Sequence, residues 1–272
     1  MPRLIPRVAL TLTTVATFAL IAAPGAMAHR PPGTLIPTNP REVLPLHGGT
    51  VDSLNWSGYA VTPHGAKITA VSSAFKVPAA GDAPPGFAAT WAGIGGYNTQ
   101  DLIQAGTAEQ SPPSNPLSGP QYYAWYELLP NSETQLSGCR GDSTCAVTPG
   151  DHIAVHISQA SANRWKISMK DAGHWSWSKS VKYNSTRSSA EWILEAPTLI
   201  AAQTLLADVG SVHFGPTSTY TASGHTHTIA QGNPTKIVLS PGGVFNEATP
   251  SALGQNGQSF NDCAYSQSCK AP

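Results

Sequence analysis

The sequence SSAEWILEAP, at residues 188–197, is the segment from which the fold is best inferred. Its aromatic and branched side chains favour a β-strand, and Pro197 ends the strand because proline cannot donate a ladder hydrogen bond. Side chains alternate between the two faces of a strand, so Ala190, Trp192 and Leu194 share one face. All three are apolar, and we predict that this face packs in the core.

The other face of the same strand carries two of the chain's seven glutamates. Glu191, Ile193 and Glu195 lie on it, and we expect the carboxylates to open to a cleft or to water. Charges on an exposed edge strand, which discourage aggregation, are the structural alternative. The two glutamates are four residues apart, about 13 Å along a strand. They are therefore too far apart to be the catalytic pair of a retaining glycosidase, whose carboxyl groups lie ~5–5.5 Å apart.

The composition indicates an all-β protein. The chain has 272 residues with 25 Gly and 24 Pro, and only 11% of its residues are charged. Short apolar runs separated by Gly, Pro, Asn and Ser are typical of two packed antiparallel sheets. Fifteen basic residues balance fifteen acidic ones, which argues against nucleic acid or a membrane surface as a partner.

Apolar and alternating segments predict the positions of the strands. The second predicted strand carries a bulge near Ala70, where the apolar phase slips. We predict strands at residues 55–61, 68–77, 88–94, 101–106, 121–129, 151–158, 164–171, 175–181, 189–196, 208–214, 235–239 and 259–265.

The N-terminus has the organisation of an export signal. Arg3 and Arg7 precede an apolar run at residues 8–23, and Ala26-Met27-Ala28 forms a cleavage site. We therefore expect a signal peptide at residues 1–28, a secreted mature protein, and no membrane association after cleavage. Residues 29–53 are Pro-rich and aperiodic, and we interpret them as a prosegment or linker before a domain at residues 54–272.

Four cysteines in an exported protein predict two disulfides, for which three pairings exist. Local pairing, Cys139 with Cys145 and Cys263 with Cys269, is the simplest choice. Zinc ligation is disfavoured because the chain has no Cys-x-x-Cys and no histidine beside either pair.

Other catalytic patterns are weak. Ser143 lies in a Gly-Asp-Ser tripeptide, but Thr144 and Cys145 follow it instead of the glycines of a serine-protease motif. The nine histidines have no carboxylate at ligand spacing, and no phosphate-binding or dinucleotide-binding motif is present. We therefore expect neither metal nor cofactor.

Five motifs occur in a fixed order and carry a specific resemblance. They are NWSGYA at residues 55–60, WAGIGG at 91–96, LIQAG at 102–106, YAWYELLP at 123–130 and AEWILE at 190–195. Together they resemble the glutamic peptidase family, the eqolisins, over nearly all of the mature chain.

The resemblance implies a β-sandwich of two curved antiparallel sheets with a concave substrate cleft. It implies that Glu195 is the catalytic base and acid, that Gln104 stabilises the oxyanion, and that Trp91, Trp125 and Glu127 line the cleft. A carboxylate that activates water, with an amide that donates to the developing oxyanion, can hydrolyse a peptide bond at low pH. We therefore expect an acid-acting endopeptidase, a monomer, with protein or peptide substrates.

Two departures from the family pattern accompany the resemblance. Gly95 and Tyr123 each stand where fungal members are expected to carry Asp, so we expect fewer carboxylates in the cleft.

Two other functions stay open from sequence alone. The sandwich could be a catalytically idle carbohydrate-binding module, or Glu127 and Glu195 could form a glycosidase pair.

Overall fold

The computed structural model describes residues 35–36, 44–45, 49–81, 85–111, 119–199 and 202–272. The expected signal peptide, and most of the expected prosegment, lie outside these residues. The regular secondary structure of the described chain is almost entirely β-strand, as predicted, with two single-turn 3-10 helices at Ala230–Gly232 and Pro241–Gly243. Among the described residues, no helix is long and apolar enough to span a membrane.

The strands follow one another in short steps along the chain. They are β1 (Leu35–Ile36), β2 (Leu44–Pro45), β3 (Thr50–Ser53), β4 (Trp56–Val61), β5 (Ile68–Lys76), β6 (Gly86–Ile94), β7 (Ile103–Ser111), β8 (Gln121–Leu128), β9 (Thr134–Gln135), β10 (His152–Ser161), β11 (Arg164–Asp171), β12 (Trp175–Lys182), β13 (Ala190–Glu195), β14 (Thr198–Leu199), β15 (Ala202–Gln203), β16 (Ser211–Phe214), β17 (Thr219–Ala222), β18 (His225–Thr228), β19 (Thr235–Leu239), β20 (Ala248–Pro250) and β21 (Phe260–Ala264).

One run of paired strands, which we call the cleft sheet, holds the segment at residues 188–197. Its strand order is β9-β8-β7-β6-β13-β4-β19-β3. β13 pairs with β4 on one side and β6 on the other, so it is a central strand and not the exposed edge of the structural alternative. All of these pairings are antiparallel except β3 with β19.

A second run, the outer sheet, has the strand order β18-β17-β5-β10-β11-β12. β16 also pairs with β5, through Phe214 and Phe75, and β16, β21 and β20 lead back to β19. The main hydrophobic core contains Trp192 and Leu194 from β13 together with residues of the outer-sheet strands, such as Ile157 and Trp165. The predicted core face of β13 is therefore confirmed.

The second face of the cleft sheet carries a separate apolar cluster. Ile193 belongs to it, as the alternation of β13 requires. Its members are Val51, Trp56, Ala60, Ala89, Trp91, Leu102, Ala108, Trp125, Leu129, Ile193 and Ile237, with Tyr97 and Tyr123 packed against them.

Several local predictions can be compared with the structure. The predicted bulge is present, because the pairing of β17 with β5 slips between Ala70 and Ile68. β7 continues to Ser111, five residues past its predicted end, and the β17–β18 hairpin was not predicted. β3 lies before residue 54, where we expected the domain to start.

Both predicted disulfides are confirmed. Cys139 is bonded to Cys145, and Cys263 is bonded to Cys269. Two disulfides are typical of proteins that fold in an oxidising compartment.

Candidate active site

Glu195 is the last residue of β13, and its carboxylate is held by two donors. Trp91 Nε1 donates to Oε2 at 2.9 Å, and Asn55 Nδ2 donates to Oε1 at 3.4 Å. Trp91 is itself fixed by an edge-to-face contact with Trp56, with ring centroids 4.9 Å apart. These contacts explain why the side chain of Glu195 points in a defined direction.

The expectation that the glutamate face of β13 is open needs correction. Glu191 is fully buried and Glu195 is 4% exposed. The reason is that the face is covered by its own aromatic and apolar neighbours, Trp56 and Trp91 among them.

Gln104 lies on β7, directly opposite Glu127 of β8. Its Nε2 donates to Glu127 Oε2 at 2.5 Å, and the residue is 1% exposed. An amide nitrogen carries two hydrogens, so one N–H remains for another acceptor. The hydrogen bond to Glu127 therefore fixes the position of the Gln104 amide nitrogen, and it leaves one of the two N–H groups for another acceptor.

The residues predicted from sequence share one face of the cleft sheet. On β6 and β13, Gly93 is opposite Glu191 and Ala89 is opposite Glu195. Gln104 is opposite Gly93, so it lies two strands away from Glu195 and four residues further along. Gln104 and Glu195 therefore lie on the same face of the sheet, offset by two strands and four residues.

Trp91 and Trp125 flank Gly106 of β7. A Cβ at Gly106 would lie 2.1 Å from the Thr90 carbonyl oxygen and 2.6 Å from the Trp91 Cβ. Only glycine fits there, and it lets the two indoles approach. Trp125 Nε1 is buried without a hydrogen-bond partner among the described residues.

Electrostatics at Glu127 favour its neutral form. Burial is the largest cause and raises the pKa of Glu127 well above its usual range. The charges of Glu195 and Glu133 raise this pKa further, while the donors from Gln104 and the Glu133 backbone lower it. Glu127 is therefore close enough to Glu195 for the charge of Glu195 to raise its pKa, and Glu127 is protonated at acid pH.

The structure places carboxylates where the sequence indicated losses. Tyr123 Oη donates to Glu133 Oε1 at 2.7 Å, so a carboxylate lies beside the tyrosine. A Cβ at Gly95 would lie 2.9 Å from Asp101 Oδ2. Glu133 and Asp101 therefore place acids next to Tyr123 and Gly95, and the expected thinning of the carboxylate lining stays a prediction. Glu133 follows the strand in a turn, and no sequence period identifies it.

One cluster away from these residues resembles a metal site. Oxygens of Asp151 and Asp171 and a ring nitrogen of His174 lie within 4.8 Å of one another. His174 is exposed, and its hydrogen bond with Asp171 raises the pKa of His174, so an ion pair accounts for the cluster.

Comparison with known proteins identifies the family. The sequence profile of the Peptidase A4 family matches residues 54–256. The chain belongs to this family, the glutamic peptidases. No curated protein sequence matches the chain.

Solved glutamic peptidases have the same fold. Scytalido-glutamic peptidase, solved with a transition state analog inhibitor, is 19% identical with a TM-score of 0.60, over 78% of this chain and 98% of its own. SCP-B, an eqolisin solved with the tripeptide Ala-Ile-His, is 17% identical with a TM-score of 0.58, over 78% and 98%. Aspergilloglutamic peptidase from Aspergillus niger is 22% identical with a TM-score of 0.54, over 66% and 99%.

These findings establish this glutamic peptidase as a peptide hydrolase with a β-sandwich fold. Protein or peptide chains are accordingly its substrates. The two other functions considered from sequence, an idle carbohydrate binder and a glycosidase pairing Glu127 with Glu195, are disfavoured by the family.

Proposed function

We propose that this protein is a secreted endopeptidase that acts at acid pH, with Glu195 as general base and acid and Gln104 as oxyanion donor. The observation that carries the proposal is the orientation of both groups on one face. Trp91 and Asn55 orient the Glu195 carboxylate, and Glu127 orients the Gln104 amide.

The mechanism follows from the residue types. Ionised Glu195 takes a proton from water, which attacks the substrate carbonyl, and then gives this proton to the leaving amine. The second N–H of Gln104 donates to the oxyanion that forms on the carbonyl oxygen. Gln104 does not titrate, so its contribution is independent of pH.

Acid conditions suit this arrangement because of Glu127. While Glu127 keeps its proton, the group next to the Gln104 amide is neutral and does not repel the oxyanion. As the pH rises and buried carboxyls near the Gln104 amide ionise, a negative charge develops beside the oxyanion site. Activity is therefore expected at acid pH and is expected to decline as the pH rises.

We further propose that the part of residues 29–53 that precedes β3 is a prosegment removed on maturation, because β3 itself pairs with β19 in the cleft sheet. Leu35–Ile36 pairs with Thr198–Leu199, three residues after Glu195, and Leu44–Pro45 pairs with β3. The first pairing attaches the segment close to the end of β13, which carries Glu195, and the second attaches it to the edge of the cleft sheet.

The experiment compares the secreted wild-type chain with Glu195→Gln and Gln104→Ala, after acid incubation, on casein from pH 3 to 8 with and without EDTA. We expect cleavage at acid pH that EDTA does not affect, and mass spectrometry of the activated chain to locate the maturation cut. Gln104→Ala should lose about 10²–10³ in kcat, the typical cost of one oxyanion donor.

The matched control is Glu247→Gln, an equally conservative change of a buried acid that accepts a hydrogen bond from the Leu206 backbone. It should keep wild-type kcat. Full activity of a folded Glu195→Gln enzyme would refute the proposed mechanism.

A further inference from the structure

Glu133 is buried at the cleft and lies in a fixed position. It precedes β9, whose residues Thr134 and Gln135 pair with Tyr126 and Trp125 of β8. Its side chain is 8% exposed. The short β9 pairing therefore holds the Glu133 backbone beside the strand that carries Glu127.

The Glu133 side chain is bound by a tyrosine that is itself held. Tyr123 Oη donates to Glu133 Oε1 at 2.7 Å, and Gln110 Nε2 donates to Tyr123 Oη at 2.8 Å. Gln110 lies on β7, the strand of Gln104. The carboxyl of Glu133 is thus connected to β8 and β7 by the two hydrogen bonds at the Tyr123 hydroxyl.

The backbone of Glu133 makes the second connection. Its N–H donates to the carboxyl of Glu127, which accepts from Gln104 Nε2 at 2.5 Å. A continuous set of hydrogen bonds therefore runs from Gln110 through Tyr123 and Glu133 to Glu127 and the Gln104 amide. A shift of Glu133 would move the acceptor that orients Gln104.

We propose that Glu133, held by Tyr123, is a positioning residue for the Gln104 amide and the carboxyl whose ionisation sets the upper pH limit of activity. The proposal rests on the proposed function, since it assigns Gln104 to the oxyanion. It goes further by giving a role to a residue in a turn, beside a tyrosine that replaces the acid expected of the family.

The surroundings of Glu133 explain the pH effect. The titratable groups that face it are Tyr123, its hydrogen-bond donor, and Glu127, whose pKa its charge raises. In the described part of the chain, the salt bridges involve only His174, so no Lys or Arg pairs with Glu133 there. Burial raises the pKa of Glu133 to about 7, and the Tyr123 hydrogen bond lowers it in part. Ionisation near neutral pH therefore adds an unpaired negative charge beside Glu127 and the oxyanion site.

The test is the pH dependence of kcat and KM for acid-activated Glu133→Gln, measured with an internally quenched peptide. The glutamine keeps an acceptor for Tyr123 and the backbone N–H, but it cannot ionise. We expect kcat at pH 4 within about threefold of wild type and an alkaline midpoint about one pH unit higher. If kcat of Glu133→Gln falls at high pH over the same range as kcat of wild type, the proposal is overturned.

Tyr123→Phe provides an independent arm if Glu133→Gln secretes poorly. The phenylalanine removes the hydrogen bond that lowers the pKa of Glu133, so the alkaline midpoint should again move up, while kcat falls about tenfold at constant KM. Unchanged kcat and an unchanged midpoint would contradict the proposal.

Glu109→Gln is the matched control. Glu109 is fully buried and has a raised pKa, but it accepts from Thr90 and Thr107 instead of a cleft group. Its pH profile should match wild type.

Activity in Glu195→Gln would refute the proposed function. An inactive Glu195→Gln, together with a Glu133→Gln variant whose alkaline midpoint is unshifted, would refute this inference alone.

Discussion

At the scale of single residues, the motifs pointed to Glu195, Gln104, Trp91 and Glu127 as candidate site residues, but not to the hydrogen bonds that orient the first two. Asn55 is 140 residues from Glu195 along the chain, and Trp91 is 104 residues away. Contacts over such separations depend on strand order, which no local pattern encodes. Glu133 was missed for the same reason, since only the turn before β9 brings it to Tyr123.

The Trp91 N–H gives a prediction at this scale. Trp91→Phe keeps an aromatic ring against Trp56 but removes the donor to Glu195 Oε2. A hydrogen bond to a charged group contributes about 1.5–3 kcal/mol. We expect kcat to fall roughly tenfold to a hundredfold at similar KM. Steady-state kinetics at pH 4, with circular dichroism as the check on folding, measure it, and wild-type kcat would count against the assigned role of Trp91.

At the scale of elements, alternation and turn residues predicted most strands, and the bounds of β11 and β19 match the prediction at both ends. The β17–β18 hairpin was missed because HTHT at β18 has no apolar alternation. The far half of β7 was missed because Thr107 and Glu109 look like surface residues. They are buried instead, since Glu109 accepts from the hydroxyl of Thr107 at 2.6 Å. A hydrogen bond within the core thus overrides the polar pattern.

The spacing of β6 and β7 depends on Gly106. A Cβ there would come within 2.1 Å of the Thr90 backbone oxygen, so Gly106→Ala must push the strands apart under Trp91. We expect a loss of several kcal/mol in unfolding free energy, as for other overpacked cores. Urea denaturation would measure it. Gly119→Ala, where no atom lies within 4 Å and the positive φ costs about 1–2 kcal/mol, is the control. Equal losses in the two variants would contradict this account of β6–β7 packing.

At the scale of the whole molecule, the formal net charge of zero gives no information on where the acidic residues lie. All six described glutamates are buried: Glu109, Glu127, Glu133, Glu191, Glu195 and Glu247. The sequence gives their number, but burial depends on the packing of two sheets. Burial raises the pKa of Glu109, Glu127 and Glu191 well above normal, of Glu133 to about 7 and of Asp262 to about 8.

These shifts predict how stability depends on pH. A carboxyl whose folded pKa exceeds its unfolded value binds more protons in the folded state. Its contribution is complete below the unfolded pKa, near 4, and is lost as the pH rises through the folded pKa. For Glu133 and Asp262 the loss extends to about pH 7 and 8. Thermal melts from pH 3 to 9 should therefore show the highest Tm in acid and a steady fall above about pH 5. A Tm maximum at pH 7 to 8 would contradict the burial of these acids in neutral form.

The central claim is that Glu195 moves the proton in peptide hydrolysis. The most direct test is the kcat of acid-activated Glu195→Gln at pH 4, measured beside wild type and Glu247→Gln on one quenched peptide. We predict wild-type turnover in Glu247→Gln and no detectable turnover in a folded Glu195→Gln enzyme. Turnover by Glu195→Gln within tenfold of wild type would contradict the account.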